Sequence, residues 1–431
     1  MSDRTRRMLE AGKSLLILLL TCSALFLAGQ IFFSSGTGAN LLAGLLPVSP
    51  GLPPSSTPQS PGLVGVARPV RMAVVNSNGR YGVQYHDDDV DELFDALGSL
   101  LGEALGSAQA PVQTTRRAWE EALTGLGIYY EFPGAIPLSL TAAWLGEDTS
   151  AVALTAEASR IVLSQEEGQE HIRLFYVDAG NGSYYACETA ADLRGRLDSY
   201  IPNGAFFVFQ QAERYSGLDP DTLILSDPPS PPIYQASAGV DLGDEDTRSI
   251  LLKALSFSSQ SNAIYPVADG WRVRDGSDNL YLTDTGTVTY HSGQGEARYP
   301  VPYNPTRADL VEATGEIVWA LLLPYCGSAR VYLSLITQLE DVYTLTYSYS
   351  LSGAEVQLGQ DGWCAQFTVR GGRITDYTLH IRSYTPTSDS AVLLPEYQAM
   401  AAMSALDAEG RKLLLRYYDG GGLVSPAWIA R

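Results

Sequence analysis

The sequence predicts an α+β protein that a single N-terminal helix attaches to a membrane. Three features predict it: an apolar run near the N-terminus, a proline-rich segment directly after that run, and a long C-terminal region in which helical and strand-like blocks follow one another. Several strand-like blocks are joined by tight turns, so we expect helices packed on antiparallel sheets.

Residues 14–33 are uncharged and mostly apolar, and they predict a transmembrane helix. A helical run of this length covers about 30 Å, the thickness of a bilayer's hydrocarbon core. Residues 1–13 carry more basic than acidic side chains, and no further charged residue occurs before Arg68. By the positive-inside rule, residues 1–13 are cytoplasmic and the chain after residue 33 is extracytoplasmic. A cleaved secretory signal is the alternative, although its apolar region is usually shorter, about 7–15 residues.

One face of this predicted helix carries small residues. Thr21, Ala24 and Ala28 recur at helical spacing. Small residues let a second helix approach closely in a membrane, where packing drives association. They are therefore a candidate contact face for a partner's span, although small residues are also common in spans by chance.

Residues 34–67 are rich in Ser, Gly and Pro and predict a flexible stalk. Such a segment cannot bury enough apolar surface to offset the entropy that it would lose on ordering. The folded part of the protein is therefore expected to begin near Arg68.

The region after the stalk is strongly acidic. Its net charge is −22, since four of the 28 basic and two of the 48 acidic side chains precede it. Such a surface repels phosphate backbones and anionic lipid, which argues against nucleic acid as a partner and against a polybasic mode of membrane binding.

Residues 68–217 are predicted as a first α+β domain. The acidic cluster at 86–92 is interpreted as the charged first turn of a helix, since the ligand spacing of a calcium-binding EF-hand is missing. The predicted elements are a strand at 70–75, helices at 88–106 and 111–126, strands at 127–132, 139–145, 160–163, 172–178 and 184–187, a helix at 190–199 and a strand at 205–211.

Consecutive prolines at 227–232 predict a linker, assigned to 218–238, because proline fits neither a helix interior nor a sheet ladder. Two helix-plus-sheet modules are predicted after it, at 239–303 and 304–431. Their predicted helices lie at 243–257, 307–323, 395–403 and 407–414, and their predicted strands at 270–274, 279–283, 287–291, 331–338, 342–351, 363–370, 373–383, 414–418 and 424–429.

The sequence contains no pattern that predicts catalysis, a cofactor or a metal site. The cysteine spacings match no zinc or haem motif, and whether Cys326 and Cys364 form a disulfide stays open, with free thiols favoured. Each of the four histidines is isolated, and no nucleophile motif occurs. Tyr343, Tyr347 and Tyr349 alternate along one predicted strand, either as an aromatic face for a sugar or protein partner or, as we favour, as buried cross-strand packing.

The strings YLTDTGTVTY at 281–290, FTVRGGRITDY at 367–377 and PAW at 426–428, behind a single N-terminal span, resemble the YycH/YycI family. Members of that family are membrane-anchored regulators of the essential cell-wall two-component system in low-GC Gram-positive bacteria. The resemblance implies a non-enzymatic extracytoplasmic protein in the cell membrane whose span packs beside a sensor histidine kinase, with a paralogous regulator as a further partner.

The long proline-rich stalk and the acidic balance depart from the family pattern and leave open whether the same kinase is regulated. A cell-wall or carbohydrate-binding surface protein is the alternative function, and a wall hydrolase is a third. The partner, the sign of regulation and the oligomeric state do not follow from the sequence.

We expect alkaline phosphatase fused after Arg68 to be active, because this reporter folds only outside the cytoplasm and the charge bias exports the chain beyond residue 33. Phosphatase activity of intact cells is the measurement, and a fusion after residue 13 is the inactive control. An inactive Arg68 fusion, or a mature N-terminus beyond Phe33, would contradict the anchored topology.

Overall fold

The computed structural model describes residues 68–147, 154–166, 168–193, 195–215, 217–260, 263–404 and 412–430, and all of them belong to one compact unit, Ser60–Arg431. Helices and antiparallel sheets combine in an α+β fold, as predicted. The predicted span at 14–33, with Thr21, Ala24 and Ala28, lies outside the described residues, as does the predicted stalk. Among the helices of the described ranges, none combines the length and hydropathy needed to cross a bilayer.

The first sheet is built from the strands β1 (Arg71–Asn76), β2 (Gly79–Gln84), β3 (Val112–Thr114), β4 (Leu126–Pro137), β5 (Glu157–Gln165), β6 (Arg173–Val177) and β7 (Tyr184–Glu188). Their order across the sheet is β2-β1-β4-β5-β6-β7-β3, and every neighbouring pair is antiparallel. Five of these strands confirm the predicted ones at 70–75, 127–132, 160–163, 172–178 and 184–187.

Three helices accompany this sheet: α1 (Asp87–Gly106), α2 (Arg116–Thr124) and α3 (Leu138–Trp144). α1 contacts β1, β2 and α3 and buries Leu93, Leu97 and Leu101, which recur at the helical spacing that predicted it. Asp87, Asp88 and Asp89 of the acidic cluster stand in its first turn, at the positive end of the helix dipole.

The predictions differ from the structure at four places in this region. The predicted strand at 139–145 is the helix α3. Most of its residues are buried, so its apolar residues follow neither the helical spacing nor the alternation of a strand. The predicted helix at 111–126 is divided, because β3 pairs with β7 and the Thr115 hydroxyl caps α2 by accepting from Ala118 N–H at 3.2 Å. The described part of 190–199 forms turns and no helix, and 205–211 forms a two-residue strand followed by a 3₁₀ turn.

The second large sheet is built from β11 (Ile264–Val267), β12 (Gly270–Asp275), β13 (Asp278–Thr283), β14 (Thr287–His291), β15 (Arg330–Leu339), β16 (Val342–Leu351), β17 (Ala354–Leu358), β18 (Ala365–Arg370), β19 (Arg373–His380), β21 (Leu413–Asp419) and β23 (Pro426–Ala430). Their order is β11-β12-β13-β14-β19-β18-β16-β17-β21-β23, and β15 pairs with β16. Only the pairing of β17 with β21 is parallel among these described strands.

The helices of this half are α4 (Glu245–Ala254), α5 (Arg307–Leu321) and α6 (Glu396–Ser404), which confirm the predicted helices at 243–257, 307–323 and 395–403. α5 packs against β16 and β18, and α4 packs against α5. The last predicted helix, at 407–414, is different: 405–411 lie outside the described residues, and β21 begins at Leu413.

The predicted division between 239–303 and 304–431 does not separate two sheets. β14 of the first predicted module pairs with β19 of the second along five residues, so backbone hydrogen bonds join both into one sheet. The hairpin predicted at Gly371-Gly372 is confirmed between β18 and β19, where both glycines have positive φ, 58° and 75°. The last predicted strand pair is confirmed as β21 and β23.

The predicted linker at 218–238 contains two strands, β9 (Leu223–Ile224) and β10 (Pro232–Ala238). β9 pairs with β8 (Phe206–Phe207), and β10 lies between β20 (Arg382–Ser390) and β22 (Gly422–Val424) in a three-stranded sheet. The last proline is the first residue of β10. After it, Tyr234 and Ala236 alternate inward and are buried. The alternation of a strand therefore decides the structure of this segment, although the prolines before it predict a linker.

Two glycines mark where the first and second large sheets meet. A Cβ on Gly134 of β4 would lie 2.0 Å from the carbonyl oxygen of Leu333 in β15, and one on Gly353 would lie 3.2 Å from that of Val70. The backbones therefore touch directly, and no side chain fits between them at Gly134.

The core resolves the alternatives left open for the aromatic and cysteine residues. Tyr347 and Tyr349 of β16 are fully buried and Tyr343 is half-buried against the core, which confirms packing over an exposed aromatic face. Cys326 and Cys364 are buried and present as free thiols, as favoured.

We expect Gly134→Ala to lower the free energy of unfolding of the ectodomain, residues 60–431, by about 2–4 kcal/mol, because the added Cβ forces β4 away from β15. Urea unfolding followed by tyrosine and tryptophan fluorescence is the measurement. Gly180→Ala is the control, since Gly180 lies in an exposed turn, and its added Cβ meets only the Asp178 carboxylate. Equal stability of the two variants would contradict the tight backbone contact.

Candidate functional site

A cleft of about 470 Å³ opens where β4 of the first sheet meets β15, β21 and β23 of the second. Its volume lies in the range that small-ligand sites occupy. Charged and polar side chains converge there from separate parts of the chain. The polar residues that line the cleft are Arg71, Glu131, Ser159, Asp219, Tyr332, Ser334, Glu355 and Lys412.

The backbone of β4 creates the opening. Its register against β5 shifts between Glu131 and Ile136, so residues 132–135 have no partner in β5 and instead line the cleft. A matching shift in β15, at Ser334, lies on the other side. Irregularities of this kind bend a strand and re-aim its side chains.

The carboxylate of Glu131 stands at the centre of a buried ion cluster. Its Oε1 lies 3.1 Å from Arg71 Nη1, 3.4 Å from Lys412 Nζ and 3.9 Å from Arg160 Nε. Its Oε2 accepts a hydrogen bond from the Tyr129 hydroxyl at 3.0 Å. Burial raises the pKa of this carboxyl, but the three cations outweigh burial and hold the pKa well below its usual value.

Arg160 extends the cluster toward the segment between β8 and β9. Its Nη2 donates to Asp219 Oδ2 at 2.5 Å and its Nη1 to Asp221 Oδ2 at 3.2 Å. Burial raises the pKa of both carboxyls. At Asp219 the attraction of Arg160 outweighs burial, so its pKa is lowered. At Asp221 burial and the nearby Asp219 outweigh Arg160, so its pKa is raised. One guanidinium thus holds three carboxylates from two separate segments.

Lys412 closes the cluster from the C-terminal side. Burial lowers the pKa of its ammonium despite the attraction of Glu131. Because the side chain lines the cleft and is about a third exposed, this amine is the cation of the cluster most open to solvent.

A second buried carboxyl lies behind the cluster. Glu396, the first residue of α6, accepts from Gln84 Nε2 at 2.8 Å and from Leu225 N–H at 3.1 Å. Burial raises its pKa to about 8, because these donors and the more distant Arg71 do not offset the loss of water. The amide oxygen Gln84 Oε1 is buried and has no hydrogen-bond partner among the described residues.

The ionic groups of the cleft are committed mainly to one another, so the cluster connects the segments that carry them. His291 pairs with Asp376 far along the second sheet, and Cys326 and Cys364 are buried. Among the residues described by the structure, no group of three or more His, Cys, Asp and Glu side chains is placed to hold a metal ion.

The acidic cluster at 86–92 lies apart from the cleft and pairs with basic residues. Asp91 meets Arg68 at 3.1 Å and Arg330 at 2.7 Å, so it ties α1 to β15.

The residues of the ion cluster were not identified from the sequence. One signal in the sequence could have indicated them: charged residues such as Glu131 and Arg160 stand inside apolar strand patterns. An unpaired charge is costly when it is buried, so such residues are expected to have charged partners.

These features define an α+β protein in which two large, mainly antiparallel sheets meet at backbone contact, with a buried ion cluster that reaches from the first sheet to Lys412 before β21. The fold is similar to that of YycH from Bacillus subtilis, whose crystal structure aligns with a TM-score of 0.55 over 85% of this chain and 94% of the YycH chain. The identity is 12%, so the similarity is one of fold. No protein-family model matches the sequence, and no curated protein matches it.

We expect Glu396→Gln to stabilise the ectodomain at alkaline pH by up to about 5 kcal/mol, which corresponds to a pKa raised from 4.5 to about 8. The native pKa of about 8 lies above the unfolded value, so the native state keeps a proton that the unfolded chain releases, and stability falls as pH rises between the two values. The glutamine stays neutral and removes this slope. Urea unfolding between pH 5 and 9 is the measurement, with Glu245→Gln at the exposed start of α4 as control. Parallel pH profiles for wild type and Glu396→Gln would contradict the assignment.

Proposed function

We propose that the chain is a non-enzymatic, membrane-anchored extracytoplasmic regulator of a sensor histidine kinase in cell-envelope homeostasis, acting by protein–protein contact. The observation that supports it most is the fold similarity to YycH, which extends over nearly the whole of that chain. The family strings found in the sequence point in the same direction, and two of them form adjacent strands, β13–β14 and β18–β19, of one sheet.

The ion cluster supports a role in contact rather than chemistry. Glu131 of β4 pairs with Arg71 of β1 and Arg160 of β5 within the first sheet and with Lys412, the residue before β21. Breaking such a buried group is costly, about 3–5 kcal/mol for loss of one partner. Lys412 therefore ties Glu131 of the first sheet to the C-terminal strands of the second.

The membrane part of the proposal rests on the sequence. Residues 14–33 would span the bilayer, with residues 1–13 in the cytoplasm, and the face of Thr21, Ala24 and Ala28 would contact a span of the kinase. The strongly acidic ectodomain would then lie outside the cell, joined to the span by residues 34–67.

A second candidate is a cell-wall or carbohydrate-binding surface protein. Thr289, Thr346 and Thr378 lie on one face of the second sheet, and their hydroxyls have no hydrogen-bond partner among the described residues, which favours it. The two candidates differ in where the essential contact lies: in the span for a kinase regulator, and in the ectodomain alone for a wall binder.

We expect the full chain to co-purify with a sensor histidine kinase from detergent-solubilised membranes, and Ala24→Leu with Ala28→Leu to lose at least nine-tenths of the recovered kinase. Leucine keeps the hydrophobicity needed for insertion but blocks close helix approach. Immunoblots at matched protein level are the measurement, and Leu18→Ile, a conservative change elsewhere in the run, is the control.

Two outcomes would contradict this proposal. Undiminished association with an unrelated span in place of residues 14–33 would exclude the membrane contact. Sedimentation of the soluble ectodomain with isolated peptidoglycan, with no kinase recovered from membranes, would favour the second candidate.

A further inference from the structure

The outer edge of β15 is covered along only part of its length. β15 pairs with β16 on one side, and no other described strand pairs with it. On the other side, Gly134 of β4 stands against the Leu333 carbonyl, so β4 covers the edge there. Beyond the register shift at Ser334, residues 335–339 continue as an edge strand that no described strand covers.

The turn after β15 fixes which backbone groups of this segment are already bonded. Two residues join Leu339 to Val342, so these two form a hydrogen-bonded pair, and Thr337 with Thr344 is the next such pair. β16 agrees with this phase. Its Tyr347 carbonyl accepts from the Cys364 N–H on the β18 side at 2.9 Å, and alternation along β16 then turns Thr344 toward β15.

Ile336 and Gln338 alternate with the bonded residues of β15. Their N–H and C=O groups therefore point away from β16, to the open edge. The side chains of Leu335 and Leu339 are 54% and 79% exposed, and Thr337 between them is exposed as well. Unpaired backbone groups flanked by large apolar side chains form a template for pairing with another strand.

The other sheet edges that the structure describes are protected against such pairing. β2 is covered by Asn203, whose amide accepts from the Gly82 N–H at 3.0 Å and donates to the Gly82 carbonyl at 2.7 Å. β11, β20 and β23 each contain a proline, and β3, β8, β9 and β22 have only two or three residues. Residues 335–339 contain neither a charged residue nor a proline.

The segment is complementary to itself. In antiparallel pairing with a second copy about a two-fold axis at Thr337, Ile336 of each copy stands opposite Gln338 of the other, and each such pair exchanges both of its outward backbone hydrogen bonds. Leu335 then stands opposite Leu339 on the exposed side, and the two Thr337 side chains meet at the axis. A slip of one residue would place outward groups opposite inward ones and lose this match.

Charge agrees with this register. Residues 335–339 are uncharged, and Glu340 of the turn comes opposite Ser334 of the other copy, so no carboxylate faces a carboxylate across the paired strands. The net charge of −22 on each copy opposes association at long range, but salt screens exposed charges beyond about 8 Å at physiological ionic strength.

We propose that residues 335–339 pair with the same segment of a second copy of this chain, antiparallel and about a two-fold axis at Thr337, so that the second large sheet continues from one molecule into the other. An interface of this size is small, so the association is weak and reversible. The contact goes beyond regulation of a kinase through the span, because it lies in the ectodomain and joins identical chains.

Disulfide trapping of the full chain in detergent tests the contact. The background is Cys22→Ser, which leaves only Cys187, Cys326 and Cys364, all buried. Thr337→Cys places two thiols at the axis, where the Cα atoms of a non-hydrogen-bonded pair are about 4.5 Å apart, within reach of a disulfide. After addition of oxidised glutathione, we expect at least half of the chain to run as a dimer on non-reducing gels.

Thr344→Cys is the matched control. Thr344 stands opposite Thr337 on β16, one strand further from the axis. Its two copies are then about 14 Å apart, three strand spacings, which is too far for a disulfide. We expect less than a tenth of the dimer that Thr337→Cys gives.

Leu335→Cys and Leu339→Cys test the register. Each position stands opposite the other across the axis and not opposite itself. We therefore expect little dimer from either variant alone and a clear dimer band when the two are mixed and then oxidised.

A charge variant tests whether the edge itself drives association. Leu335→Lys with Leu339→Lys places lysines opposite each other, and we expect it to lower the dimer yield of Thr337→Cys at least fivefold. Ile250→Lys with Leu423→Lys, at apolar residues that are 60% and 66% exposed elsewhere, is the matched control and should leave the yield unchanged.

Absence of a dimer from Thr337→Cys would overturn the proposal. So would equal trapping at Thr344, or a dimer from Leu335→Cys alone, since the chains would then meet in another register or at random. Recovery of the kinase with the Leu335→Lys/Leu339→Lys variant separates this proposal from the proposed function, because loss of the edge contact leaves the span contact intact. Circular dichroism of each variant verifies that it is folded.

Discussion

The ion pairs of the buried Glu131 carboxylate are the interaction on which the arrangement of this protein depends. It takes Arg71 from β1, Arg160 from β5 and Lys412 from the residue before β21, and so connects the first sheet with the C-terminal strands. A charge at this depth is tolerated only when opposite charges and hydrogen bonds surround it. The cluster therefore ties β1, β4 and β5 to the residue before β21, while the apolar cores beneath the two sheets supply most of the stability.

Close backbone contact accompanies this ionic contact. Gly134 brings β4 against the carbonyl of Leu333, and the shifted registers of β4 and β15 leave the cleft beside it. The fold is similar to that of YycH, and the proposed regulatory contact lies outside this junction, in the membrane span.

Prediction from the sequence succeeded where a pattern is local. α1 and α5 follow from apolar residues at helical spacing, and the β18–β19 hairpin follows from two adjacent glycines that adopt positive φ. It failed where the deciding contact is distant. α3 has no clear period because it is buried, and β10 forms beside a proline run because β20 and β22 supply its hydrogen bonds from more than 140 residues further along the chain.

The sequence by itself determined the class of fold, the acidic surface, most helices and hairpins and the apolar run at 14–33, since each is a property of composition or of neighbouring residues. Only the tertiary structure decided that 239–303 and 304–431 share one sheet, that Glu131 meets Lys412 across 281 residues, and that Thr289, Thr378 and Thr346 align in one row. Register across strands and the pairing of buried charges are set by long-range packing, and no local pattern records which distant segments will meet.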